Sequence, residues 1–110
     1  MSEPSLHFVA DVATVLADAP EQSIVSRSLF RGAGVTATLF SFAEGEELTE
    51  HTAAFPAILH FLSGEGTLTL GGETQTVARN SWVYMPAQLP HSVVATSALR
   101  MLLLLLRPEG

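Results

Sequence analysis

The chain has no cysteine and no lysine, a single tryptophan and a single tyrosine. Without cysteine there is neither a disulfide scaffold nor thiolate chemistry. Without lysine the basic charge rests on five arginines, which face eleven acidic residues and leave a net charge of -6. Such a chain repels a phosphate backbone rather than gathering it, and nucleic acid is not an expected partner. Charge of either sign is scarce, at 15% of residues, whereas 47% are apolar. A single domain of 110 residues buries one core and has no room for a second, so part of that apolar surface is expected to meet a second copy of the chain as a homodimer. Long apolar runs are missing too. The longest leucine-rich run, Met101 to Leu106, is far below the about 20 residues that cross a bilayer, so no membrane partner is expected. The first twelve residues, MSEPSLHFVADV, lack a basic segment followed by an apolar one, which predicts a cytoplasmic rather than a secreted protein.

What the chain does contain is strand grammar. Residues 11 to 19 place Val12, Val15, Leu16 and Ala19 on one helical face between a capping Asp11 and a terminating Pro20, which predicts one short amino-terminal helix. From Ile24 the pattern changes to IVSRSLF, a Gly32-Ala33-Gly34 turn, and VTATLFSFA, with apolar groups on both faces as in a strand covered on two sides. An acidic turn, Glu44 to Glu47, leads to His51, and a Pro-containing corner leads to the strand Ala57 to Leu62. TLTLGGETQTV is a hairpin signal, because Gly71-Gly72 suits a two-residue turn with positive φ. WVYMP, HSVVA and RMLLLLLR complete about eight short strands, the spacing of an antiparallel jelly-roll barrel. The leucine run is expected to be a strand buried on both faces. No repeat, low-complexity tract or linker divides the chain, which is expected to form one domain over residues 1–110 with its barrel core at about 24–107.

Two stretches carry the candidate chemistry. The first runs from Gly45 through His51 to Gly64, and the second, NSWVYMPAQLPHSVVA, from Asn80 to Ala95. Together they resemble the two motifs of the cupin superfamily. The first motif looks like a glycine, five residues, His-x-His, three or four residues, Glu, six residues and a glycine. Here Gly45, His51 and Gly64 match, while Ala53 stands at the second His and Ala57 at the Glu. In the second, Met85-Pro86 and Pro90-His91 match, Asn80-Ser81 replaces the usual Gly-Asp, and Ala95 sits where an Asn is common. The resemblance spans roughly residues 35 to 106. It implies an all-β double-stranded β-helix, or jelly roll, and a pocket at the barrel mouth.

The resemblance further implies a metal site of three histidines and one glutamate on inward-facing positions, of which this chain keeps His51 and His91. Zn, Ni, Fe or Mn suit such donors, but catalytic sites generally offer three protein ligands. Strand alternation from position 57 puts His60 on the opposite face, so it reaches the ion only through a bulge or a neighbouring subunit. Tyr84, Gln88 and Glu50 are weaker additional donors. Leu59, Phe61, Trp82 and Tyr84 are candidate pocket-lining residues, although aromatic residues on barrel strands are first of all core. Without the resemblance, His51 and His91 read as polar residues bonded to backbone or water, and the acidic run as a solvated turn. Ser63-Gly64-Glu65-Gly66 lacks the spacing of a hydrolase elbow, and no Gly-rich loop opens a helix to cradle phosphate. The expected function is small-molecule binding with a weakly held divalent metal, and the alternative is a metal-dependent dioxygenase or isomerase.

Overall fold

The computed structural model describes residues 6–108, so residues 1–5 of the amino-terminal stretch and 109–110 of the expected domain lie outside it. Among the described residues, nine strands follow one short 3-10 turn, Val12–Thr14. Two antiparallel sheets share them. In the first, β1 (Ile24–Arg31), β2 (Val35–Phe42), β9 (Leu99–Leu106), β4 (Ala57–Ser63) and β7 (Trp82–Met85) lie side by side in that order. The second orders β3 (Glu47–His51), β8 (His91–Ala95), β5 (Gly66–Leu70) and β6 (Glu73–Val77). The result is the jelly-roll architecture expected from the short strands. Among the described residues no helix is long and apolar enough to cross a membrane.

Register settles which side chains meet between the sheets, since directly opposed residues of antiparallel strands share a face. Across the first sheet, Thr38, Leu103, Leu59 and Val83 form one such row, and Thr36, Leu105, Ala57 and Met85 form the next. Leu59, Ala57 and Met85 are buried, which marks these rows as the inner face. In the second sheet Val93 opposes both Leu48 and Leu68, and Ala95 opposes Gly66. Phe42, Phe61, Leu68, Val93, Leu99 and Met101 fill the space between the sheets. The hairpin is as the sequence predicts: Leu70 pairs with Glu73, and Gly71 and Gly72 have φ of 56° and 93°.

The outer face of the first sheet is covered as well. Ala37, Leu39 and Ser41 lie opposite Leu104, Leu102 and Arg100 on that face, and Leu39 is 0% exposed. Residues 15–19 cross it. The Arg100 side chain donates from Nε to the Leu16 carbonyl at 3.0 Å and pairs with Asp18 at 2.8 Å, and the Ser41 hydroxyl accepts from the Ala19 amide. The expectation of a short helix over 11–19 is therefore corrected to a single 3-10 turn. Asp11 does cap it, its side chain accepting from the Ala13 amide. Continuation fails because Pro20 has no N–H to give the Leu16 carbonyl, and the Val15 carbonyl is taken by Arg27. Carbonyls that a helix would satisfy internally are satisfied by two arginines of the sheet instead.

Candidate functional site

The site lies at one end of the second sheet, where β3 and β8 run side by side. Leu48 opposes Val93, and the next registered pair is His51 with His91. Two residues of β3, Thr49 and Glu50, thus stand against the single Ser92 of β8. This one-residue bulge decides the orientation of the first histidine. In an uninterrupted ladder Glu50 would oppose His91, and His51 would face outward. The extra residue turns His51 to the inner face instead, a role bulges commonly play beside functional sites.

The two rings consequently lie 4.2 Å apart, centroid to centroid, with their planes inclined at 58°. His91 is 8% exposed and His51 is on the exposed side of the pair. Each ring is anchored in the same way. His51 Nδ1 lies 2.8 Å from the Thr49 carbonyl oxygen and His91 Nδ1 lies 2.9 Å from that of Leu89. A carbonyl oxygen can only accept, so the hydrogen-bond pattern assigns the proton of each neutral ring to Nδ1 and leaves a lone pair on each Nε2. Among the described residues neither Nε2 has a hydrogen-bond partner in the chain.

Local sequence explains how the second imidazole is placed. Pro90 precedes His91 and holds its predecessor extended, and Gly71 donates to the Pro90 carbonyl, fastening the hairpin β5–β6 to the start of β8. The loop before it turns at Gln88, with φ of 69°, whose amide is bonded to the Ala53 carbonyl. The two histidine-bearing segments are therefore tied together by backbone as well as by the ladder. Asn80 has φ of 74°, a conformation asparagine tolerates better than most residues, which accounts for its standing where the resembled motif has glycine.

The other candidates are dispersed. His60 opposes Leu102 on one side and Trp82 on the other, on the outer face of the first sheet, so it cannot be a third ligand within this chain. Tyr84 opposes Ile58 on the same outer face and is 50% exposed, and it does not line the space near the imidazoles. Leu59 is core, whereas Phe61 and Trp82 line a cavity between the open edges of the sheets. Glu50 and Gln88 are exposed, and Glu50 belongs to the bulge itself. A further residue, unmarked by any motif, comes forward. The Thr36 hydroxyl is buried without a hydrogen-bond partner, and Thr36 shares the inner row with Ala57. Its sequence context shows only a strand residue, so nothing short of the register singles it out.

A metal is the group that such donors bring to mind, and the residues meet its requirements halfway. Imidazoles that donate Nδ1–H to a carbonyl and offer Nε2 are arranged as metal-ligating histidines usually are. The remaining positions carry methyl groups, Ala53 and Ala57, and no group of three His, Cys, Asp or Glu side chains comes together among the described residues. Two protein ligands fall short of the three that catalytic sites generally have. The donor set does not fit a resident, tightly held ion.

A two-sheet jelly roll with inward histidines on its third and eighth strands defines a class of barrel. The cupin domain family model matches residues 38–106, and the chain belongs to that family. It is similar to a cupin superfamily protein from Desulfitobacterium hafniense, with 25% identity, a TM-score of 0.81 and 87% of each chain covered. A cupin 2 conserved barrel domain protein from Leptotrichia buccalis is 33% identical with a TM-score of 0.76, over 83% of this chain and 44% of that one. Salicylate 1,2-dioxygenase from Pseudoaminobacter salicylatoxidans has the same fold at a TM-score of 0.72, with 12% identity over 81% of this chain and 26% of the enzyme. No curated protein matches the chain in sequence.

Proposed function

We propose that this cupin domain binds a small, oxygen-bearing molecule at the barrel mouth, with the Nε2 atoms of His51 and His91 as its polar anchors. The observation that carries the reading is the pair of imidazoles 4.2 Å apart, centroid to centroid, both held by Nδ1 and both with Nε2 unpartnered among the described residues. Each Nε2 lone pair accepts from a hydroxyl or acid O–H group, so the expected ligand presents one or two such donors. The inner row bearing Thr36 and Ala57 supports the same reading, since a buried hydroxyl with no partner calls for a ligand or water to complete it. A methyl at position 57 leaves space where the family motif carries a carboxylate.

A metal-dependent dioxygenase or isomerase is the second reading, favoured by the Nδ1–carbonyl anchoring of both rings. The two readings separate in one experiment. Metal content of gently purified protein is expected to be well below one ion per chain. A panel of aliphatic diols and hydroxy acids, without aromatic rings, is then screened by thermal shift, with and without chelator. Stabilisation that survives chelator and is lost in His91→Ala supports the binding reading. A stoichiometric ion retained through dialysis would replace it with the metal-dependent one.

The functional unit in this proposal is a homodimer. Ile58, His60, Trp82 and Tyr84 share the outer face of β4 and β7, beyond Leu102 of β9, which lines a cavity with Leu6, Val9 and Val12 of the amino-terminal segment. These four side chains form one patch around His60 beside the last strand, and none of them is acidic, so two copies of an otherwise acidic chain can meet there with little repulsion.

A further inference from the structure

The two sheets do not close on each other along one side. β6 ends the second sheet and β7 ends the first, and among the described residues neither has a partner beyond it. Between these edges lies a cavity of about 210 Å³, walled by Phe61, Leu68, Val77 and Val83, with Gln75 and Trp82 among its remaining lining. Phe61, Leu68 and Val77 are buried core residues, so its floor is the inter-sheet core itself.

We infer that this lateral slot is a second ligand site, separate from the imidazole pair, for a neutral molecule of one aromatic ring bearing one hydrogen-bonding group. Size sets the first limit. A dry cavity of roughly 150 Å³ accepts benzene, so a slot of this volume takes one ring and a substituent but not a fused system. Charge sets the second. Among the described residues no ionisable side chain lines the slot, and a carboxylate or ammonium would lose its hydration there without a partner. The polar group is assigned by register: Gln75 opposes Leu68, whose side chain faces the core, so an amide occupies an inner-face position at the rim. The fourth limit is the entrance. Trp82 belongs to the lining while register sets it opposite His60 on the outer face, so its ring borders both the rim of the slot and the outer surface.

The site is also separable from the mouth. The slot reaches Leu70, which opposes His91, but neither histidine lines it. It therefore makes no use of the polar anchors assigned to the mouth, and the two proposals can fail independently.

The test titrates p-cresol into isotopically labelled full-length protein and follows amide and imidazole signals by NMR. Saturable shifts are expected at Leu68, Gln75 and Val83, and in the side-chain N–H of Trp82, the only indole in the chain. The ring nitrogens of His51 and His91 are expected not to move. Gln75→Leu, a change at an exposed edge position, should weaken binding by roughly fivefold to tenfold, the worth of one hydrogen bond. Val83→Phe fills the slot and should abolish binding, provided its spectrum shows the native fold, and benzoate should not compete. Shifts that fail to saturate, that move the histidine rings instead, or that persist undiminished in both Gln75→Leu and folded Val83→Phe would overturn the proposal.

Discussion

At the scale of single residues, the two ends of the first motif are constrained by different forces. Gly64 has φ of 84°, and a Cβ built there would collide with the backbone carbonyl of Ala98, which cannot retreat as a side chain might. Gly64→Ala is therefore expected to cost about 3 kcal/mol from conformational strain and displaced backbone, read from chemical denaturation midpoints. Gly45 has nothing within 4 Å of its virtual Cβ, so only its φ of 88° is at stake, and Gly45→Ala should cost about 1 kcal/mol. Thr36 gives the opposite sign. Replacing a buried hydroxyl that has no partner with an isosteric methyl removes a desolvation penalty, so Thr36→Val should be neutral or stabilise the fold by up to about 1 kcal/mol. The same change should weaken any ligand found at the mouth. A fold made more stable and a site made poorer by one substitution would mark Thr36 as a binding residue, whereas stability lost with affinity unchanged would show that its hydroxyl serves the fold.

At the scale of elements, the bulge on β3 yields a parity test. Deleting Glu50 restores a regular ladder in which Thr49 opposes Ser92 and His51 still opposes His91, so contacts between the two rings should survive in NOE spectra. Deleting both Thr49 and Glu50 places His51 opposite Ser92, on the outer face, and those contacts should vanish. The same element shows what the sequence could reveal and what it could not. Apolar alternation and the Gly71-Gly72 turn make the strands and the hairpin readable, because burial of one face and positive φ each demand particular residue types. The convergence of His51 and His91 was readable only through resemblance to a motif. Alternation from Leu48 predicts the wrong face for His51, since a bulge adds one residue without leaving a compositional mark. His60 was placed correctly, because β4 is regular from Ala57 to Phe61 and the alternation holds. The amino-terminal segment misled for another reason. Its apolar spacing is helical, yet the groups that bond to its carbonyls, Arg27 and Arg100, lie far along the chain and cannot be weighed locally.

At the scale of the whole molecule, the apolar surplus noted in the composition divides between several places. Part fills the space between the sheets, and part of the outer face of the first sheet is covered by the amino-terminal segment, where Leu39 is sealed. Of the rest, Leu6 and Phe8 stand exposed in the amino-terminal segment, and the outer face of β4 and β7 keeps Trp82 and Tyr84 60% and 50% exposed. Large apolar side chains grouped on one sheet face seldom stay solvated, and a self-complementary patch centred on a two-fold axis covers both copies at once. Light scattering coupled to size exclusion should accordingly report twice the chain mass for the native protein. Tyr84→Glu introduces a charge at the patch without touching the core, and next to its symmetry mate it sets two carboxylates against each other in a site that excludes water. The variant is expected to elute as a folded monomer with unchanged imidazole signals at His51 and His91, because those rings lie on the other sheet. A native protein of single-chain mass at high concentration, or a Tyr84→Glu protein that remains dimeric, would place the association elsewhere and leave this face to solvent.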